Sequence, residues 1–522
     1  MDSVAGLLQE NQRLKIELAV ERRGREEAER ERRALEKKTQ LQDLRIAELL
    51  SQLYRRGSEK LSADERIQMR LFDEAEREQT PREATEDKAG IVVPEHTRAR
   101  PRRRPLPPEL PRVDVVIDIP EADKRCGCGQ ELVKIGEEVS EKLDLIPPKV
   151  QVIRTVRPKY ACHHCEGSGD EERAAVRCAP MPRTIIDKGI ATPGLLAWVV
   201  TAKFADALPL YRQERQFARI GVDLPRQTLA DWMIRAAEAV SPILEILRDR
   251  VRAGPLLQVD ETTVQVLEEE GRKNTTQSYM WVHWGGPPTQ RVILYHYAPS
   301  RATEVAVRLI GDYRGYVQTD GYEVYDRACD RTGIVHVGCW AHARRMFVEA
   351  KKVGGKSGSA DEALALITKL YALEADRAVL EEPIAFAEHR RDLVQPILQK
   401  LRGWLDRKRD QTPPSSAVGK AVAYTLGQWP KLIRYLEDAA IGPDTNPCER
   451  AIRPFVVGRK NWLFSGSPRG AAASAALYGL IETARANGLE PYAYLRRLFE
   501  ALPTATTTEQ LAALVPFAPV KH

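Results

Sequence analysis

The chain has 522 residues, 30% of them charged, with 80 Lys and Arg against 74 Asp and Glu and a formal net charge of +6. That length calls for several domains, and the near balance of charge excludes a polybasic or polyacidic protein, so the distribution of basic residues says more about a polyanionic partner than their sum. Eight cysteines, mostly clustered, suit metal ligands or buried thiols in a reducing cytoplasm rather than a disulfide framework; no secretory signal or apolar run of membrane-spanning length is visible.

From about Val4 to Leu53 the sequence reads as one long helix. Val4, Leu7, Asn11, Leu14 and Leu18 keep a heptad seam, to which Leu35, Ile46, Leu49 and Leu53 return. Glu21, Arg25 and Arg32 interrupt it, so its central part reads equally as a paired coiled coil or a solvated charged helix. Residues 1–77 are assigned to this helical region and 78–120 to a linker, in which five arginines between Arg98 and Arg104 sit among prolines. Such a segment is extended and either tracks phosphates nonspecifically or serves as a spacer.

Residues 121–180 carry two cysteine pairs, Cys126 with Cys128 and Cys162 with Cys165, on either side of a segment of β character, Val150 to Arg157. Two ligand pairs on separate turns are the layout of a structural Zn²⁺ site that staples a small module. The first pair has one intervening residue where a zinc ribbon has two, which leaves His163, His164 or Cys178 open as the fourth ligand. Residues 181–250 read as helices of about 194–207 and 209–219, a break at Gly221 to Pro225, and a helix from Arg226. Helix, glycine-bearing turn, helix is the helix-turn-helix pattern, and it places Arg226, Gln227 and Thr228 where side chains reach base edges and phosphates.

Leu256 to Asp260 is a short apolar run rich in strand formers that ends in an acid, and Gly315 to Asp320 repeats the arrangement, with Gly321 allowing a close turn. Between them, Ser278 to Trp284 and Arg291 to Tyr297 read as an antiparallel meander, followed by a helix from about Ala302 to Ile310. Neighbouring strands would set two carboxylates within a few ångströms, an arrangement that hard divalent cations with oxygen ligands stabilise. Glu449 follows Asn446 and Pro447, which read as a helix cap and first turn, and Arg453 lies on its face of that helix, to pair with the acid or with a phosphate. Asp260, Asp320 and Glu449 are therefore candidate ligands for two Mg²⁺, with Mn²⁺ as a substitute, in phosphodiester chemistry. Beyond them, Arg459 and Lys460 offer phosphate contacts, and Trp462 is either a stacking platform for DNA or core. Cys339 and His342 could bind metal, but with no second pair near them in sequence they read as a buried thiol and a core or DNA-proximal histidine. The stretch from Asp361 to Glu437 has helical spacing and reads as an insertion ahead of Glu449.

Val259-Asp-Glu-Thr262, Gln318-Thr-Asp-Gly-Tyr322, His336-Val-Gly-Cys-Trp-Ala-His-Ala-Arg-Arg345, Glu449-Arg-Ala-Ile-Arg-Pro454 and Gly458-Arg-Lys-Asn-Trp-Leu-Phe-Ser-Gly466 resemble, in order and over nearly the whole chain, transposases of insertion sequence family 66. The resemblance implies a multidomain α+β protein with an RNase H-like catalytic core and an Asp-Asp-Glu triad falling on Asp260, Asp320 and Glu449. It also implies a leucine-zipper-like N-terminus, a zinc-finger-like module, and excision and insertion of mobile DNA with Mg²⁺ in a bacterial, nucleoid-associated setting. The partners are then the terminal repeats of the element and target DNA, a second protomer or a larger synaptic assembly, and small accessory proteins of the same element. The core is assigned to 251–350 and 441–490, separated by the helical insertion 351–440 and followed by a tail, 491–522. An inactive or repurposed DNA-binding protein and a nuclease on the same core are the alternatives.

Overall fold

The computed structural model describes residues 150–161, 176–354, 358–375 and 383–517, and isolated helical positions between 13 and 39. The rest of the expected zipper helix, the Pro/Arg linker and the four zinc candidates Cys126, Cys128, Cys162 and Cys165 lie outside the described residues. Two compact units emerge, one of residues 81–179 and the other of residues 1–80 together with 180–522. In the first, β1 (Lys159–Ala161) pairs antiparallel with β2 (Val176–Cys178).

The second unit opens with four helices, α1 (Pro193–Phe204), α2 (Leu210–Arg219), α3 (Arg226–Ala239) and α4 (Ser241–Arg252). Thr192 caps α1 through the Leu195 N–H, and Pro193 occupies a position where its missing donor costs nothing. Gly221 takes φ +78 in the turn between α2 and α3, a conformation glycine adopts without steric penalty. Phe217, Leu229, Trp232 and Met233 bury the inner faces of this helical pair, while Arg226 and Gln227 stay exposed at the start of α3.

A mixed sheet follows, built from β3 (Leu256–Val266), β4 (Gln277–Gly285), β5 (Val292–Ala298), β6 (Gly315–Gln318) and β7 (Ile334–Val337) in the order β5-β4-β3-β6-β7. β3, β4 and β5 form an antiparallel meander, whereas β6 and β7 run parallel to β3. The crossover from β5 to β6 is α5 (Thr303–Ile310), and α6 (Glu323–Cys329) joins β6 to β7. β3 is longer than its apolar start suggests, so Asp260 sits within it, opposite Val282 of β4.

After β7 come α7 (Trp340–Gly354), α8 (Ser359–Ala375), α9 (Pro383–Gln411) and α10 (Ala417–Leu432). They share a core of their own, with Phe347, Ile367, Leu370, Leu401, Trp404 and Leu405 at its centre. Chain then returns to the sheet through α11 (Asn446–Trp462), the short strand β8 (Phe464–Ser465) beside the far end of β3, and α12 (Pro468–Ala486). α12 is clasped to β5: Thr483 Oγ1 accepts from Ile293 N at 3.0 Å and donates to Ile293 O at 2.9 Å. α13 (Pro491–Ala501) and α14 (Thr508–Ala512) close the unit. Among the described residues no helix is long and apolar enough to cross a membrane.

Candidate active site

Two glutamines organise the site. Gln258 and Gln318 stand opposite each other in the parallel register of β3 and β6, and both are fully buried. Gln258 Nε2 donates to Gln318 Oε1 at 2.8 Å and to the Asp444 carbonyl at 3.0 Å, while its Oε1 accepts from Cys448 N at 3.1 Å. Gln318 Nε2 donates to the carbonyls of Gly338 and Gly442 at 3.2 and 3.0 Å. One amide lattice thus ties together β3, β6, the end of β7 and the start of α11. Each glutamine precedes an aspartate by two positions, and the period of a strand points residues two apart to the same side. The lattice therefore fixes the segments that carry Asp260, Asp320 and Glu449. Neither glutamine is a candidate site residue from sequence alone; the repeated Gln-x-Asp pattern is the signal that could have found them.

Asp260 is held well above the usual carboxylate range, first by burial and then by the negative charges of Glu261, Glu449 and Asp320, in that order. Its Oδ1 accepts from Glu261 N at 2.8 Å, which opposes the shift. Asp320 lies just past the end of β6 and caps the next turn, accepting from Tyr322 N at 3.0 Å. Gly321 serves there by leaving room rather than by an unusual backbone: a Cβ would come within 2.5 Å of Tyr424 Oη from α10. Glu261 is a fourth buried acid, also pushed up by burial, and is held by Tyr325 and by Arg301, whose guanidinium stacks 3.7 Å over the Tyr322 ring.

Glu449 lies in the first turn of α11, where the helix dipole favours an anion. The helix begins one residue earlier than the sequence reading placed it: Thr445 is the cap, and Asn446 instead turns back to Asp444, donating through Nδ2 at 2.8 Å. Asp444 is buried, and Asn446 serves it through its backbone N–H at 3.1 Å as well as through Nδ2; burial raises the carboxyl to about 6, opposed by Asn446 and Tyr371. The side chains beside Glu449 come from α7: His342 Nδ1 lies 3.6 Å from Oε1, and the Arg345 guanidinium Nη2 lies 3.6 Å from Oε2. Cys339, just ahead of α7, is buried, and its sulfur accepts from Thr445 N at 3.4 Å and Thr445 Oγ1 at 3.3 Å.

The remaining sequence candidates spread along α11 and α3. Arg453 is half-buried one turn beyond Glu449. Arg459 donates to Thr262 Oγ1 at 3.3 Å and Thr263 Oγ1 at 3.0 Å of β3, on the strand that bears Asp260, and Lys460 is exposed beside it. Trp462 is anchored in the core side of the helix, edge-on to Phe455 at 5.5 Å between ring centroids, with Lys203 over its ring. That packing favours the core alternative over an open stacking platform. Arg226, Gln227 and Thr228 lie at the N-terminus of α3, and the Arg226 N–H is taken by Glu214 Oε1 at 2.9 Å.

An acid within one strand and another just past its neighbour in a mixed sheet, preceded by a helix-turn-helix, fit a protein that modifies nucleic acid, and family comparison places the chain among the transposases. Residues 188–473 match the family described as "Transposase IS66 family". Residues 123–166 match "zinc-finger binding domain of transposase IS66", 40–115 "Transposase C of IS166 homeodomain" and 479–517 "IS66 C-terminal element". The chain belongs to the IS66 transposase family. It is similar to three proteins of Sinorhizobium fredii (strain NBRC 101917 / NGR234). Uncharacterized protein y4jD is 35% identical over 426 residues, which cover 79% of this chain and 81% of the relative. Uncharacterized protein y4qI is 33% identical over 438 residues (80% and 78%), and uncharacterized protein y4hP 31% identical over 506 residues (88% and 88%).

Proposed function

We propose that this transposase binds the ends of an insertion sequence and performs Mg²⁺-dependent strand cleavage and strand transfer on an RNase H-like core, with Asp260, Asp320 and Glu449 as the triad. The observation that carries this reading is electrostatic. Glu449 and Asp320, from two other segments, both raise the carboxyl of Asp260, so the three acids feel one another's charge. Like charges so placed suit divalent cations with oxygen ligands, and this is the fit of the residues to the metal. The sheet order β5-β4-β3-β6-β7, antiparallel on one side of β3 and parallel on the other, supports the RNase H-like assignment.

When bound, two Mg²⁺ supply activation of the attacking water or 3′-hydroxyl and stabilisation of the leaving oxygen. The protein's own part is positioning. Gln258 and Gln318 hold the acid-bearing segments in register, and Arg345 lies where a phosphate approaching Glu449 would meet a positive charge. Arg453, Arg459 and Lys460 line α11 as further phosphate contacts, and Arg226, Gln227 and Thr228 read the element end from the groove. Cys126, Cys128, Cys162 and Cys165 hold a structural Zn²⁺, and the N-terminal helix pairs protomers. A bacterial cytoplasmic protein acting at the nucleoid, helped by accessory proteins of the same element, completes the reading.

The test is Mg²⁺-dependent cleavage and joining of a labelled DNA carrying the element end, comparing wild type with Glu449→Gln. Strand transfer by wild type alone supports the reading. Binding without cleavage by either protein moves the reading to a repurposed DNA-binding protein or to a reaction that needs an accessory partner, and cleavage without joining moves it to a nuclease.

A further inference from the structure

Cys339 and His342 stand three positions apart, and the fold supplies the third partner that the local sequence lacks. Glu449 of α11 meets them across the start of α7, and one ligand atom from each residue lies within 4.8 Å of the other two, a grouping found once among the described residues. His342 Nδ1 is shielded from solvent and makes no hydrogen bond. Its 3.6 Å separation from Glu449 Oε1 exceeds the 2.7–3.2 Å of a shared proton. It does match two ligands of one tetrahedral ion, which stand about 3.3–3.8 Å apart for bonds of about 2.0–2.3 Å. Thr445 spans the other two members, with Oγ1 3.3 Å from Cys339 Sγ and 3.4 Å from Glu449 Oε1.

We propose that Cys339, His342 and Glu449 form a binding site for a thiophilic divalent cation, Zn²⁺ foremost, and that filling it draws Glu449 out of the acid triad. The donor set separates this site from the triad. Thiolate and imidazole favour Zn²⁺, whereas Mg²⁺ prefers oxygen and near-octahedral geometry. Thiolate and carboxylate together neutralise a divalent charge, and three protein ligands leave a fourth position open to water or a phosphate oxygen. Because Glu449 belongs to both sets, the two occupancies compete. The binding claim stands on the geometry alone; the inhibitory consequence rests on the transposase reading above.

Co²⁺ is the spectroscopic probe. The full chain is stripped of metal and titrated with Co²⁺ as wild type, Cys339→Ser and His342→Ala, so that difference spectra remove any signal from Cys126, Cys128, Cys162 and Cys165, which are unchanged in all three. Expected for Cys339→Ser is the loss of about one equivalent of bound Co²⁺ and of its share of thiolate-to-cobalt absorption; His342→Ala, which leaves the buried thiol in place, should weaken that equivalent by about tenfold or more. Identical stoichiometry and spectra in the three proteins overturn the site. In a second arm, micromolar Zn²⁺ is added to Mg²⁺-dependent cleavage and each protein is compared with its own zinc-free rate. Inhibition of wild type that is relieved in His342→Ala supports the competition, and equal zinc sensitivity overturns it. A wild type that never cleaves counts against the transposase reading or for a missing accessory partner, while the cobalt titration still decides the site.

Discussion

Replacing Gln258 by Leu keeps the volume of the side chain and removes its polar end. Three groups lose their partner at once: the Gln318 Oε1, the Asp444 carbonyl and the Cys448 N–H, now served at 2.8, 3.0 and 3.1 Å. A buried polar group left unsatisfied costs about 1–3 kcal/mol. Partial relaxation of Gln318, which keeps its bonds to Gly338 and Gly442, brings the sum to about 3–5 kcal/mol. For a body of this size that is a fall in Tm of roughly 5–10 °C, measured by calorimetry on the purified chain. Activity should fall further than stability. The lost bonds connect β3 and β6 to the first turn of α11, and a misplacement of about 1 Å in a reacting constellation costs about 10²-fold. Cleavage assayed well below the lowered Tm should therefore drop by about 10²-fold. A Gln258→Leu protein that unfolds within a degree of wild type and cleaves at its rate refutes the claim that this amide lattice positions the acids.

Asp260→Asn removes a charge that burial and three neighbouring carboxylates disfavour, so cleavage should fall by about 10³-fold or more while Tm holds or rises, and DNA binding persists. Loss of binding together with cleavage would refute the division of labour. Arg226→Ala with Gln227→Ala, both exposed at the start of α3, should leave Tm unchanged and weaken specific over nonspecific DNA by about 1–3 kcal/mol per lost base contact, read by anisotropy competition. His336 is 7% exposed, bonded to Thr319 Oγ1, and depressed to about 4 by burial first and Lys431 next. A depressed histidine is neutral in the fold, so below about pH 6.5 the unfolded chain binds the extra proton and stability falls as pH falls. Between pH 7 and 5 this amounts to about 2 kcal/mol. Asp444 and Glu482, raised to about 6 by burial, act in the opposite sense over that window. The contribution is therefore read as the difference between wild type and His336→Gln, whose acid sensitivity should be smaller; equal slopes would refute it.

The strands were legible because each is a short apolar run that closes on an acid or a turn, and such runs form the centre of the sheet at Leu256, Leu257 and Val317. The helix-turn-helix was legible from Gly221 and from the polar start of α3. Partnerships between distant segments were not. Cys339 and His342 looked isolated because local spacing contains no term for a residue that joins them from another helix, and Glu449 does so only after the α8–α10 excursion. Asn446 looked like a cap because its type and place suit one. Only the fold reveals that buried Asp444 competes for its side chain. Gln258 and Gln318 were in plain view, but a polar residue in a strand carries no mark of what lies across the sheet.

The Gln258 lattice spans nearly two hundred positions of chain, from β3 to Asp444 and Cys448. A polypeptide emerging from the ribosome acquires both aspartates long before it acquires Glu449, and until the stretch around Thr445 has been made, Gln258 lacks two of its three partners. Glu449 therefore joins Asp260 and Asp320 only after the whole α8–α10 excursion has been made. Premature termination anywhere in the helical excursion leaves Asp260 and Asp320 without Glu449 and the sheet unlocked; on the function proposed above, such a product cannot cut DNA and an incomplete copy is inert from the moment it is released.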